Sequence, residues 1–144
     1  IIVRLGENTI ESYNDLKSAV KQFSAGDSTE LELYRAALAT PSSYEAFRKL
    51  SEVMTEVYPS NMAFVSNIGT YHMLVKNDCK TALKYYNKVL KKNPSDYTAI
   101  KNSCLAARKL GNLKMEKKYL AMLAEHGTDT EKVQAKARLE TLNK

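Results

Sequence analysis

Few residues of this chain have the chemistry and the spacing that catalysis or metal binding requires. His72 and His126 are the only histidines, 54 residues apart, and neither has a Cys, Asp or Glu at metal-ligand spacing on the same helix face. Cys79 and Cys104 are expected to be buried or half-buried free thiols rather than a disulfide. The chain also has no glycine-rich phosphate loop, and no acid pair or Ser/His/Asp set that helical register would bring together. We therefore predict a protein that is not an enzyme, with no metal site and no cofactor.

Basic side chains are unevenly distributed along the sequence. Residues 1–60 hold six Lys and Arg against nine Asp and Glu, whereas residues 61–144 hold sixteen against seven. A basic surface attracts acidic peptides, nucleic acids and anionic lipids through the same long-range field. The charge of the second half therefore predicts an anionic partner but does not choose its class.

One group of these basic residues has helical spacing. Lys80, Lys84, Lys88 and Lys91 form a stripe, which we interpret as a solvated helix face. Helices that bind nucleic acids commonly add Arg forks or aromatic stacking platforms, and Arg is scarce here. Nucleic acid is therefore disfavoured as a partner.

The elements that must position these side chains are helices. Gly and Pro are sparse, at five and three, and the runs between them are rich in Leu, Ala, Lys and Glu, so we predict an all-α fold. The apolar periodicity and the capping residues predict eight helices: 9–24, 28–39, 42–58, 61–76, 79–92, 95–110, 112–125 and 131–144, the last capped by Thr128, Asp129 or Thr130. The opening run IIVRL is expected to be an ordered leader without a strand partner.

Two of the helical segments repeat each other at a spacing of 34 residues, beginning at Ala63 and at Tyr97. The first carries Gly69, Ala82, Tyr86, Val89 and Pro94, and the second carries Ile100, Cys104, Ala107, the turn Leu110-Gly111-Asn112, Leu120 and Leu123. These small, aromatic and turn residues resemble the tetratricopeptide repeat. The resemblance implies a right-handed α-α superhelix, a TPR-like solenoid of about seven to eight helices in a single domain.

The same resemblance divides the chain into repeats. Residues 1–27 would be a leader and first helix, 28–60 a degenerate repeat, 63–96 and 97–130 two clear repeats, and 131–144 a capping helix. In this family the first helix of each repeat lines a concave groove that receives a partner. By register, the resemblance assigns partner binding to Asn67, Tyr71, Lys101, Asn102, Arg108, Lys132 and Lys136.

Three of these residues match a known way of binding a peptide. Some members of the family hold the carboxylate and acidic side chains of a peptide C-terminus with five donors, and Asn102, Lys132 and Lys136 stand at three of the five positions. Asn67 and Tyr71 stand at the other two, where that clamp uses Lys and Asn. They would supply hydrogen-bond donors but no charge. Tyr71 is expected to point into the groove.

We therefore expect a soluble, non-catalytic scaffold that binds a peptide or protein with an acidic segment in a mixed aromatic and basic groove. The alternative is a structural accessory domain that docks on a missing N-terminal domain or self-associates as a homo-oligomer. No stretch approaches the roughly 18 apolar residues of a membrane span. Because the chain begins at Ile1 without an initiator Met or a signal-peptide layout, it is expected to be a mature or truncated product, and its compartment stays open.

Overall fold

The computed structural model describes residues 44–143, together with residues 4–5, 8–9 and the single positions 14 and 18. Within these residues the fold is α-helical apart from one pair of two-residue strands, which confirms the predicted all-α class. The helices are α1 (Tyr44–Val57), α2 (Met62–Leu74), α3 (Cys79–Lys92), α4 (Tyr97–Lys109), α5 (Leu113–His126) and α6 (Asp129–Leu142). The chain divides into two compact units, residues 1–67 and 68–144, so α2 runs across their boundary.

The first unit contains the strand pair. Strand β1 (Arg4–Leu5) pairs antiparallel with β2 (Asn8–Thr9), and Arg4 lies opposite Thr9. The expectation that the opening run has no strand partner is therefore wrong. The two residues between the strands begin with a glycine, a sequence that two-residue hairpins favour.

Helix α1 in the same unit is amphipathic. Phe47, Leu50, Val53 and Met54 follow one another at helical spacing and are buried. On the solvent side, the guanidinium of Arg48 bonds the carboxylates of both Glu45 and Glu52, one turn away on either side. These i,i+3 and i,i+4 pairs support the helix. They also raise the pKa of Arg48 above its ordinary value.

The six helices lie where the sequence predicts them, with ends that differ by at most two residues. Positions 14 and 18 are helical, in agreement with the helix predicted over 9–24, although Thr9 belongs to β2. The rest of that prediction, and the helix predicted over 28–39, lie outside the described residues. The described helices have 13 or 14 residues each, and none of them combines the length and the apolar character needed to cross a membrane.

In the second unit, consecutive helices pack on one another from α3 to α6 around one hydrophobic core. Helix α2 joins this core through Gly69, because the Tyr86 ring of α3 lies where a side chain at that position would stand. Tyr86 is fully buried and its hydroxyl is 3.2 Å from that of Thr70. The members of this core that are at most 1% exposed are Ala82, Tyr86, Ile100, Ala106, Ala107, Tyr119 and Ala135. The repeated small and aromatic residues of the sequence are therefore the packing residues of this unit.

Side chains cap the starts of the last four helices. The side chains of Asp78, Asp96 and Asn112 accept hydrogen bonds of 2.9 to 3.0 Å from backbone N–H groups at the starts of α3, α4 and α5. Helix α6 begins with a capping box formed by Thr128 and Glu131. These caps place the first turn of each helix, and the capping box of α6 includes Glu131, which also bonds Tyr97 of α4.

Candidate functional site

The first turns of α4 and α6 meet through a polar cluster around Glu131. The Glu131 carboxylate accepts hydrogen bonds from the hydroxyls of Tyr97 and Thr128, and the Lys101 ammonium lies 2.9 Å from it. The bonds from Thr128, Tyr97 and Lys101 lower the pKa of Glu131 to about 2. In turn, the bond to Glu131 raises the pKa of Lys101. Lys101, a predicted binding residue, is therefore already paired with an acid inside the unit.

Three other predicted binding residues lie on the same two helices. Asn102 follows Lys101 on α4 and is half-buried, while Lys132 follows Glu131 on α6 and is also half-buried. Lys136 lies one turn further along α6 and is exposed. Within the described residues Lys132 and Lys136 form no ion pair. We call Asn102, Lys132 and Lys136, with the Glu131 cluster beside them, the α4/α6 face.

Arg108, another predicted binding residue, takes part in an ion triad. Its Nε lies 2.9 Å from Oε1 of Glu116 on α5, and Nε of Arg138 on α6 lies 3.1 Å from the same oxygen. The Glu116 side chain is only 3% exposed, whereas the two arginines are about half exposed. Burial tends to raise the pKa of Glu116, but the hydrogen bonds from Arg108 and Arg138 outweigh it and the pKa is lowered. Glu116 therefore links α4, α5 and α6, and Arg108 is one of its two partners.

The remaining two predicted residues are Tyr71 and Asn67. Tyr71 is only 3% exposed, so the structure corrects the expectation that it points into an open groove. Its ring contacts that of His72 edge-on at 5.6 Å, and the His72 ring stacks on Tyr85 at the same centroid distance. A large aromatic ring gains free energy when it is buried rather than exposed to water. The rings of Tyr71, His72 and Tyr85 contact one another in a row and pack α2 on α3. Asn67 is half-buried and is the last residue of the first unit.

A second basic surface lies between α3 and α5. A cleft of about 660 Å³ is lined by Lys84, Asn87, Lys88, Leu90, Lys91, Pro94, Lys118 and Met122. All four lysines are exposed, as expected of a solvated face. Three of them belong to the lysine stripe of the sequence, and the structure adds Lys118 from the neighbouring helix. We call this feature the lysine cleft.

His, Cys, Asp and Glu are the side chains that bind metal ions, and their positions in the described residues bear on a metal site. In the described ranges, no three His, Cys, Asp or Glu side chains come together as metal ligands would. Cys79 and Cys104 are both buried free thiols, as the sequence predicts, and burial raises the pKa of the Cys104 thiol. A raised thiol pKa disfavours the reactive thiolate.

Sequence reasoning missed Glu116, Glu131 and Arg138. The sequence pattern could have shown that Glu116 is buried, because it precedes Tyr119, Leu120 and Leu123 at helical spacing and so belongs to the buried stripe of α5. An acid on a buried stripe predicts a basic partner. The contact between Glu131 and Tyr97 could also have been predicted, since the two residues are one repeat length of 34 residues apart. No such pattern indicates the role of Arg138, because its partner is distant in sequence.

The chain matches no protein-family model, and no curated protein is significantly similar to it in sequence. Its function is therefore argued from its own residues.

Proposed function

We propose that this protein is a non-catalytic scaffold of the tetratricopeptide type, a right-handed solenoid whose α4/α6 face binds an acidic segment of a protein or peptide. The observation that carries the proposal is the contact between the first turns of α4 and α6. It brings two first helices of the proposed repeats side by side and leaves Lys132 and Lys136 without acidic partners in the described chain.

The spacing of the contacts supports the solenoid. Tyr97 and Glu131, which join two first helices, are 34 residues apart, and Asn87 and Tyr119, which join two second helices, are 32 apart. A contact that recurs at about one repeat length between equivalent helices is what stacking of repeats requires. The caps of α3 to α6 start each helix at a comparable place in its repeat.

The binding chemistry is that of a partial carboxylate clamp. Lys132 and Lys136 supply charge, and Asn102 supplies an amide donor beside them. Lys101 contributes less, because Glu131 already neutralises it, and Arg108 contributes less, because its Nε–H already bonds Glu116. The proposed site is therefore smaller than the sequence suggests, and it is centred on α6.

Fluorescence anisotropy with a short labelled peptide that has several Glu residues and a free C-terminal carboxylate tests the proposal. The double variant Lys132→Glu, Lys136→Glu should weaken binding by about tenfold or more, since each charge reversal at an exposed site changes the interaction by about 1 kcal/mol. Binding by the wild-type chain should weaken as salt is raised. Capping the peptide as an amide should weaken it further.

The matched control is Lys114→Glu, Lys117→Glu, which makes the same charge change on α5, a helix that does not contribute to the α4/α6 face. Equal losses in the two double variants would mean that only net charge attracts the peptide. That result, or failure of the wild-type chain to bind any acidic peptide, would contradict the proposal. A concentration-dependent sedimentation coefficient without peptide binding would instead support the self-associating accessory domain.

A further inference from the structure

The lysine cleft is separate from the α4/α6 face, because α3 and α5 form it rather than α4 and α6. We propose that the lysine cleft binds a compact anion that carries several phosphate groups, either as a free molecule or as the headgroup of a lipid. The shared chemistry is a cluster of phosphates held by Lys84, Lys88, Lys91 and Lys118.

The first argument is that these lysines have no acidic partners. Helix α3 contains five lysines and no acid, and none of the four cleft lysines forms an ion pair with a described residue. Most acids of the second unit are engaged elsewhere: Asp78 and Asp96 cap helices, Glu116 holds two arginines, and Glu131 holds Lys101. Among the residues that the structure describes, the repulsion between the four ammonium groups therefore stays uncompensated, and an external anion would relieve it.

The second argument is that the cleft is held in shape. The Tyr119 hydroxyl donates a hydrogen bond of 3.0 Å to Oδ1 of Asn87, which ties α5 to α3 along the cleft. The ammonium of Lys88 lies 5.1 Å from the centre of the Tyr85 ring, and that of Lys118 lies 5.4 Å from the Tyr119 ring. With its oxygen bonded to Tyr119, the Asn87 side chain keeps its amide N–H groups as neutral donors for the cleft. The donors thus come from two helices that are fastened to each other.

The third argument is size and surroundings. A volume of about 660 Å³ lies in the usual range for small-ligand sites, roughly 300–1,000 Å³. Leu90, Pro94 and Met122 line part of the wall, and such apolar surface lowers the local dielectric and strengthens the attraction between ammonium groups and an anion. The volume suits one compact anion rather than a folded partner.

The fourth argument concerns the kind of anion. The charged donors that line the cleft are lysines, and each ammonium is a point charge that can meet phosphate oxygens from several directions. A cluster of phosphates concentrates more negative charge in a volume of this size than the carboxylates of a peptide do, so it neutralises four ammonium groups more fully. Nucleic-acid surfaces add aromatic faces for base stacking. Here the Tyr85 and Tyr119 rings already have lysine ammonium groups over them. A cluster of phosphates is therefore favoured over an acidic peptide and over a nucleic acid.

Isothermal titration calorimetry with inorganic tripolyphosphate tests the inference, and sedimentation with vesicles that contain a phosphatidylinositol bisphosphate tests the lipid source. The triple variant Lys84→Gln, Lys88→Gln, Lys118→Gln should weaken tripolyphosphate binding by about tenfold or more, because three of the four positive charges that line the cleft are removed. Its circular dichroism should match that of the wild-type chain and its unfolding midpoint should be no lower, because these lysines are exposed and repel one another. Binding of the vesicles as well as of tripolyphosphate would assign the headgroup form, and binding of tripolyphosphate alone would assign the free form.

The control is the variant Lys132→Glu, Lys136→Glu of the other face. It should keep tripolyphosphate binding within about twofold, whereas it should lose the acidic peptide, so the two proposals fail separately. Absence of binding of both phosphate probes to the wild-type chain would overturn the inference. Equal losses in both variants would also overturn it, as would a single-stranded oligonucleotide or a polyglutamate peptide that binds the cleft more tightly than tripolyphosphate.

Discussion

The ion triad of Glu116, Arg108 and Arg138 leads to a prediction for the variant Glu116→Gln. The glutamine side chain has almost the same shape as glutamate, so the packing of α4, α5 and α6 around position 116 is kept. What changes is the charge of the acceptor, whose Oε1 lies 2.9 and 3.1 Å from the two guanidinium nitrogens. The variant therefore measures what the buried carboxylate contributes through its charge.

The magnitude follows from the two hydrogen bonds. A guanidinium–carboxylate bond is charged on both sides, whereas a guanidinium–amide bond is charged on one side only, so the loss is about 1 kcal/mol for each bond. Two effects reduce the total, because the arginines are half exposed and can be hydrated, and because an amide costs less to bury than a carboxylate. We expect the free energy of unfolding to fall by about 1–2 kcal/mol, which lowers the urea midpoint by about 0.5–1 M.

The pH dependence has a definite sign. The pKa of Glu116 is lower in the folded chain than its ordinary value of 4.5, so its charge stabilises the fold fully above pH 4.5. This contribution is lost as the pH falls from 4.5 through the folded-state pKa. The stability difference between the wild-type chain and Glu116→Gln should therefore be constant near neutral pH and should shrink below pH 4.5.

Urea unfolding followed by circular dichroism at neutral pH and at several acidic pH values checks both statements. The matched control is Glu125→Gln, an acid of the same helix whose side chain is 75% exposed, and its effect should stay within about 0.5 kcal/mol. If the two variants were equally stable, or if the Glu116→Gln deficit persisted unchanged at the lowest pH, the buried carboxylate would not be the stabilising charge that the geometry indicates.

Two further predictions concern packing and the cluster around Glu131. In Gly69→Ala the added methyl would lie 2.8 Å from Cε1 of the buried Tyr86 ring, and overpacking of about 1–3 kcal/mol against a helix-propensity gain of about 1 kcal/mol should leave a net loss of up to about 2 kcal/mol in thermal unfolding. In a Tyr86→Leu background the same change should cost less, because only the 3.1 Å approach to Cβ of Tyr85 remains, and an equal cost there would show that the clash with Tyr86 is not the cause. The Glu131→Gln chain should be less stable than the wild type at neutral pH, with a deficit that disappears as the pH falls from 4.5 to about 2, where Glu131 is protonated. A deficit that does not depend on pH would assign the loss to the capping box rather than to the charge.

The helices of residues 44–143 could be predicted because their signals are local. The apolar positions of α3 recur at helical spacing, and Asp78 can reach the first N–H groups of that helix. Gly111, with a φ of +65°, ends α4. Each of these depends on residues within one or two turns. The strand pair could not be predicted in this way, because each strand has only two residues and two residues show no periodicity.

The candidate site could be predicted only in part. Register placed Lys132, Lys136 and Asn102 on first helices, and the structure keeps them half-buried or exposed. Helical register could not predict that Lys101 pairs with Glu131 or that Arg108 pairs with Glu116, because those acids come from other helices. Tyr71 was misjudged for a related reason: helical register alone does not show how deeply a ring is covered.

The sequence by itself determined the helical class, the helix ends and the residues that pack, since hydrophobic periodicity and capping act over a few neighbouring residues. It also determined that the second half of the chain is basic. Only the tertiary structure decided which basic residues remain without acidic partners. Charges interact across space rather than along the chain, so the pairing of Arg108 with Glu116, and the meeting of Lys118 with Lys84 and Lys88 at one cleft, appear only when α3, α4 and α5 are packed together.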